Sequence, residues 1–280
     1  GVNLQLSQRA QAIKPSPTLA VTARAAAMKA AGHDIIGLGA GEPDFDTPRH
    51  IKDAAIDALN KGYTKYTPVD GIPALKQAII KQLSYSLKQV IVSCGGKQGF
   101  YNLAQALLNP GDEAIIPAPY WVSYPDMVLL ADGAPVIVTA TAKQGFKITP
   151  QQLEAAITDK TRLFVINSPS NPTGVHYTAQ ELTALGTVLR KYPNIVVATN
   201  DIYEHLLWEG KPFKNILNVC PDLYERTIIL HGVSKSYSMT GWRIGYAAGP
   251  EKLIQAMNNI QSQSTSNPTS FAQYGAVAAL

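Results

Sequence analysis

Lys235 and Arg243 are residues whose types and spacing could carry chemistry together. Upstream of Lys235, Thr227-Ile-Ile-Leu230 is a short apolar run, the pattern of a buried strand that delivers an amine to the end of a sheet. Arg243 follows eight positions on, flanked by Gly241 and Gly245, so a permanently charged fork lies near that amine with little side-chain bulk around it. A lysine kept neutral by desolvation or a neighbouring cation can condense with a carbonyl to a Schiff base. A guanidinium holds phosphate oxygens through two parallel hydrogen bonds. Together they suit an aldehyde that carries a phosphate. A lysine and an arginine on an amphipathic surface segment would look the same in isolation, so the rest of the chain has to decide.

Gly95-Gly96-Lys97 follows the apolar Val90-Ile-Val-Ser93 and opens a helical stretch. A helix N-terminus preceded by glycine presents free N–H groups and a positive dipole end to an anion. It is not a nucleotide-binding P-loop, because Gln98 stands where Ser or Thr would follow the lysine and the upstream glycine spacing is absent. The alternative is a plain strand-to-helix turn. Trp121 brings a flat indole that suits stacking on an aromatic ring, or an ordinary place in the core.

Further motifs accompany these: Ala40-Gly-Glu-Pro-Asp-Phe-Asp-Thr-Pro48, Lys65-Tyr66-Thr-Pro68, Pro119-Tyr-Trp-Val-Ser-Tyr-Pro125, Asn167-Ser-Pro-Ser-Asn-Pro-Thr-Gly174 and Asp201-Ile-Tyr203. In this order, and with the stretch from His231 to Gly245, the sequence resembles the fold type I, class I pyridoxal-phosphate-dependent aminotransferases. Within them it is most similar to the bacterial aspartate aminotransferase branch, from about Leu6 to Leu280.

The resemblance implies pyridoxal 5'-phosphate as cofactor and transamination between an amino acid, foremost aspartate, and 2-oxoglutarate by a ping-pong mechanism. Lys235 would hold the cofactor as a Schiff base and shuttle the proton of the substrate α-carbon. Gly95, Gly96, Lys97 and Arg243 would take the phosphate, Trp121 the ring, and Asn171 and Tyr203 the ring oxygen. Gly41, Trp121 and Asn171 would meet the substrate, Gly41 through its backbone. Tyr66 would reach across a homodimer interface to the partner's cofactor; from its own surroundings in the sequence it reads as a half-buried loop tyrosine. Pro119 and Pro172 would follow cis bonds. Residues 1–47 would form an arm and a small-domain segment, and 48–280 the large cofactor-binding domain. Further residues near Leu83 and a C-terminal small domain after Leu280 would be missing. Another amino-acid specificity, a lyase on the same scaffold and a non-catalytic regulatory protein stay open, since fold and cofactor do not fix the reaction.

Two positions depart from the family pattern. Relatives place an aspartate three residues before the tyrosine, where its charge keeps the pyridine nitrogen protonated; here that position is Asn200. An amide can hydrogen-bond the nitrogen but cannot raise its pKa as an opposite charge does. Either Asp201 takes over, although one step along a strand turns a side chain to the other face, or the protein is an attenuated form. Gly232 replaces a serine that many relatives direct at the phosphate, with Ser234 as the available substitute.

Positioning such a set requires strands that end at one edge. Apolar runs at Val90–Ser93, Glu113–Pro117, Pro135–Ala140, Leu163–Asn167, Asn194–Thr199 and Thr227–Leu230 alternate with helical stretches. That alternation predicts an α/β fold with a mostly parallel central sheet and helices on both faces, the small domain being only partly present. Ligands in such sheets bind beyond the carboxyl ends of the strands, where the motif loops fall. The helical pattern covers Thr18–Ala31, Pro48–Leu59 with Ile51, Ala54, Ala55 and Leu59 inward, a stretch from Pro73, Lys97–Leu108, one opened by Trp121, one capped by Thr149 with Pro150, one boxed by Thr178 and Glu181, Pro250–Gln263 and Pro268–Leu280.

With 280 residues and 46% hydrophobic content the chain can bury a large core. Its 24 Lys and Arg against 20 Asp and Glu are dispersed, and no basic run reads as a nucleic-acid or membrane patch. Cys94 and Cys220 form no CxxC, and the five histidines lack zinc spacing. A cytoplasmic protein with free thiols, no metal, and small-molecule amino-acid and keto-acid substrates is expected.

Overall fold

The computed structural model describes residues 1–14, 17–32, 45–81, 83–121, 123–167, 177–200, 215–232 and 239–280. Its helices are α1 (Gln8–Ala12), α2 (Pro17–Ala30), α3 (Arg49–Asn60), α4 (Pro73–Ile80), α5 (Gly96–Leu107), α6 (Tyr124–Leu130), α7 (Pro150–Ala156), α8 (Ala179–Leu189), α9 (Ile216–Val219), α10 (Glu251–Ser262) and α11 (Ser270–Ala279). Its strands are β1 (Val90–Ser93), β2 (Glu113–Ala118), β3 (Ala134–Thr139), β4 (Thr161–Asn167), β5 (Val196–Asn200), β6 (Thr227–Gly232) and β7 (Gly245–Ala248). They form one sheet in the order β1-β7-β6-β5-β4-β2-β3. From β3 through β6 every pairing is parallel, while β7 runs antiparallel to both β1 and β6. The predicted mostly parallel sheet is present. The reversed strand β7 was not foreseen.

Strand side chains alternate between faces, and the core divides accordingly. On one face Ile91, Ile116, Val165 and Leu230 pack with Phe100 and Leu103 of α5, Tyr124 of α6 and Met257 of α10. On the other, Ile115, Phe164, Ile166 and Val197 pack with Leu153 of α7 and Leu182 and Leu185 of α8. At the β1 end Val90, Val92 and Tyr246 meet Ile51 of α3, Leu75 and Ile79 of α4 and Ala276 of α11. Helices thus cover both faces. Phe164 is fully buried, and truncating such a side chain to alanine costs about 3–5 kcal/mol.

The predicted helix starts hold where capping chemistry is explicit. Thr149 accepts from the Gln152 N–H with Pro150 following, and Thr178 and Glu181 complete a capping box. The inward face of α3 needs correction: Ile51, Ala55 and Ala58 are buried, whereas Leu59 is 43% exposed. At 100° per residue, Ala58 falls roughly 20° from Ile51 around the helix and Leu59 roughly 80°.

Buried amides tie the segment after Tyr66 to the sheet. Gln261 Nε2 donates to the carbonyls of Val69 and Val92, both at 2.8 Å, and its Oε1 accepts from Asn102 Nδ2 at 2.9 Å. Gln273 Oε1 accepts from the Ile72 N–H at 2.9 Å, and its Nε2 donates to Pro268 O at 3.0 Å. Lys76 and Asp70 pair at 2.7 Å beside them. Among the described residues no helix is long and apolar enough to cross a membrane.

Candidate active site

Reversal of β7 is what gathers the site. Its first residue, Gly245, pairs with the last residue of β1, Ser93, and with the last residue of β6, Gly232. One step further along the sheet, Asn200 registers with Leu230 and with Asn167. The carboxyl ends of four parallel strands and the start of a reversed one therefore share one edge. Arg243 enters from that start, and the Gly95-Gly96 turn leaves from β1.

Two glycines permit the approach. Gly95 has φ 87° and ψ 163°, a region that residues with a Cβ avoid, and a Cβ there would lie 2.8 Å from Cζ of Arg243. At Gly245 a Cβ would lie 2.6 Å from the amide nitrogen of Gly96 and 2.7 Å from the carbonyl carbon of Gly95. The guanidinium of Arg243 thus rests against the turn. Arg243 itself adopts a left-handed conformation, φ 57° and ψ 52°, which costs a non-glycine residue about 1–2 kcal/mol. Its Nη1 donates to Thr240 O at 3.2 Å and the side chain is otherwise exposed, so the fork keeps donors for a ligand.

Inside the turn, the Gly95 N–H donates to Ser93 O at 2.9 Å, the Ser93 hydroxyl donates to Gly95 O at 2.9 Å, and the Cys94 N–H donates to Oε1 of Gln98 at 2.6 Å. The first amides of α5 have no carbonyl one turn behind them and point out of the helix end. Lys97, second in α5, is half-buried, and its ammonium sits 5.4 Å from the centroid of the Trp121 indole. Burial, then the charge of Arg243, pulls its pKa below the ordinary lysine value. Two cations that repel each other beside free helix amides form a donor set suited to a phosphate dianion.

Trp121 requires a correction. It does not open a helix: α6 begins at Tyr124, whose N–H donates to Trp121 O at 3.1 Å. The indole meets the Tyr124 ring edge-on, centroids 5.2 Å apart, and is partly buried against the core. Pro125 explains the shift, since proline lacks an N–H and fits only the first turn of a helix. The Ala118–Pro119 peptide is cis.

Of the predicted site residues, the fold brings together Gly95, Gly96, Lys97, Trp121 and Arg243, with the backbone of Asn200 on the same edge. Gly41, Asn171, Pro172, Tyr203, Ser234 and Lys235 lie outside the described residues. On this edge β6 ends at Gly232, three positions before Lys235 in the sequence. Tyr66 stands apart and is 90% exposed rather than half-buried. It lines a cleft of ≈ 510 Å³ with Thr64, Lys65, Thr265, Ser266 and Asn267 among others. Gln98 and Thr265, hydrogen-bonded to each other, were missed. The signal available was a glutamine at the third position of a helix, the usual place for a side chain that reaches back to cap it.

The profile of the family described as aminotransferase class I and II matches residues 33–280. The chain belongs to this family. It is 63% identical to the aspartate/prephenate aminotransferase of Nitrosomonas europaea, over 99% of this chain and 71% of that protein. It is 55% identical to the aspartate aminotransferase of Geobacillus stearothermophilus, over 99% of this chain and 72% of that one. Among solved structures, aspartate aminotransferase from Thermus thermophilus with maleate superposes with a TM-score of 0.93 at 45% identity, covering 99% of this chain and 73% of that chain. The enzyme from Rhizobium meliloti gives 0.92 at 48%, covering 98% and 70%. This aminotransferase is accordingly a pyridoxal-phosphate enzyme of the fold those structures share. The positive charge of Arg243 and Lys97 beside the Gly95 turn is of the sign that complements a phosphate.

Proposed function

We propose that this aminotransferase moves the amino group of aspartate to 2-oxoglutarate in two successive half-reactions, a ping-pong scheme, and also accepts prephenate as keto acid. The observation that carries the reading is the meeting of the Arg243 guanidinium with the Gly95 turn at the head of α5, on the edge where β6 ends three positions before Lys235 in the sequence. The names of the relatives from Nitrosomonas europaea and Cereibacter sphaeroides support both substrates, and maleate, a dicarboxylate, is named with the Thermus thermophilus enzyme.

Pyridoxal phosphate, when bound, supplies a carbonyl for amines and a ring that accepts electrons from the substrate carbon. The chain does the rest. Arg243, Lys97 and the first amides of α5 hold the phosphate, and Trp121 limits water at the ring. Lys235 would be the amine that holds the cofactor through its carbonyl, and, once freed, the base and acid that moves the proton to and from the substrate α-carbon. Asn171 and Tyr203 donate to the ring oxygen, Ser234 adds a phosphate donor, and Gly41 with Asn171 receives the substrate carboxylate. Asn200 hydrogen-bonds the ring nitrogen without charging it. Residues 48–280 form the cofactor-binding unit, with 1–47 as arm and small-domain segment, and Tyr66 serves the partner's site in a cytoplasmic homodimer.

The test is the absorption spectrum with pyridoxal phosphate, before and after aspartate and then after 2-oxoglutarate or prephenate. Loss of the visible band with aspartate and its return with either keto acid supports the scheme. In Lys235→Ala a retained visible band overturns the lysine assignment. Asn200 favours a second reading, a cofactor-binding protein of attenuated turnover, which a stable band unaffected by any amino acid would support. Another amino-acid specificity or a lyase activity would show as a response to a different amino acid.

A further inference from the structure

We propose that Gln98 is a positioning residue for the cofactor: its side-chain amide latches the Cys94–Gly96 turn to the 264–267 segment, and so holds the turn in the shape that receives a phosphate. The inference rests on the reading above that this turn takes the phosphate.

A glutamine third in a helix ordinarily reaches back to the N–H of the capping residue. Here the capping residue is Gly95, whose N–H is already given to Ser93 O. Gln98 Oε1 instead accepts from the residue before it, Cys94, at 2.6 Å. The other end of the same amide, Nε2, donates to Oγ1 of Thr265. Thr265 lies just beyond α10, in a segment that is itself fixed. The N–H groups of Ser264 and Ser266 both donate to Gln261 O, at 3.1 and 2.9 Å, and the Gln261 side chain is bonded to the carbonyls of Val69 and Val92.

The turn needs such an anchor. Two consecutive glycines are the most permissive backbone a chain can have, and neither has a side chain with which to hold itself. The two Ser93 bonds hold Gly95 but not Cys94; without a partner for the Cys94 N–H, part of the turn would have to be ordered by the ligand, and that cost would be subtracted from affinity. Gln98 orders it beforehand, with its oxygen on the turn and its nitrogen on the 264–267 segment. Only a ligand that uses the turn benefits, which separates a positioning role from general support of the fold.

The experiment titrates the cofactor-free full chain with pyridoxal phosphate and, in parallel, with pyridoxal, which lacks the phosphate. Gln98→Met keeps the length of the side chain and removes both hydrogen bonds. It is expected to raise the dissociation constant for pyridoxal phosphate about five- to tenfold, the worth of one well-made hydrogen bond, and that for pyridoxal less than about twofold. Thr265→Val, on the other side of the latch, should act in the same direction but less. The double variant should be no weaker than Gln98→Met alone, the signature of one shared interaction. Equal weakening for both ligands, or an unchanged constant for pyridoxal phosphate in Gln98→Met, overturns the inference while leaving the phosphate assignment standing. A wild-type chain that binds both ligands alike overturns the assignment itself, and the inference with it.

Discussion

Gly95→Ala separates the two things this glycine does. The first is backbone: at φ 87° and ψ 163° a side chain is strained, for about 1–3 kcal/mol of folding stability. The second is space, since the new Cβ would stand 2.8 Å from Cζ of Arg243. Because the obstructing group is the far end of a long side chain, it swings away instead of pushing the turn apart, and the loss falls on ligand binding. A charge-assisted hydrogen bond is worth about 1.5–3 kcal/mol, so the dissociation constant for pyridoxal phosphate should rise about 10- to 150-fold. Gly111→Ala is the control, having a similar φ of 85° but nothing within 4 Å of its Cβ. It should lose stability and keep its affinity. Urea unfolding gives the stabilities, and titration followed by cofactor absorbance gives the constants. An affinity in Gly95→Ala within twofold of wild type, with the stability loss present, would refute the claim that Arg243 at this turn holds the phosphate.

Gly245→Ala should be more damaging to the fold, near ~3 kcal/mol, because its Cβ would strike the backbone of Gly95 and Gly96, which cannot swing aside; urea midpoints measure it. Glu181→Gln should show a pH-dependent deficit. Burial pushes the Glu181 carboxyl up, but the bonds from Lys147 and Thr178 outweigh it and leave the pKa below 4.5, so the stabilisation is complete above 4.5 and is lost as pH falls through the lowered value. Unfolding curves of the two proteins should therefore converge in acid. Lys97 has the opposite sign: its pKa is pulled below 10.5 by burial and then by Arg243, so its charge costs stability at neutral pH and the cost fades as pH climbs from the lowered value to 10.5. Cofactor-free Lys97→Met should be more stable than wild type at pH 7, and its advantage should shrink in alkali. On the proposed placement of Asn200 at the ring nitrogen, Asn200→Asp supplies an opposite charge there, an effect of about 1–3 pKa units, and should raise kcat for aspartate at least about tenfold in steady-state assays.

Strands rich in β-branched residues could be read directly from the sequence, as at Val90–Ser93 and Thr227–Leu230, because their apolar runs are longer than chance and bounded by glycine or polar residues. The strand Gly245-Tyr-Ala-Ala248 could not. It has no β-branched residue and is a strand because small residues let it fit between β1 and β6, a fact about neighbours and not about the segment. The same distinction runs through the site. The sequence analysis grouped Gly95, Gly96 and Arg243 by residue type, and the fold does bring them together. Gln98 was not legible, since its meaning lies in Thr265, 167 positions away. The start of α6 was misplaced by reading Trp121, shortly after Pro119, as the helix opener when Pro125 sits in the first turn.

The strand order also sets a schedule. β1 emerges early from the ribosome, yet within the sheet its pairing is with β7, which is synthesised last of the seven strands. The ladder that brings Ser93 beside Gly245 cannot close until nearly all of the sheet exists, and closing so long a loop is slow relative to local pairing. The five central and distal strands can assemble first, leaving β1 and its glycine turn waiting on the side. A nascent chain stalled before Gly245 would hold most of a hydrophobic core and no anion cradle. Competence to take up the cofactor thus marks the completed sheet, and cofactor added during refolding should act as a late trap for finished molecules.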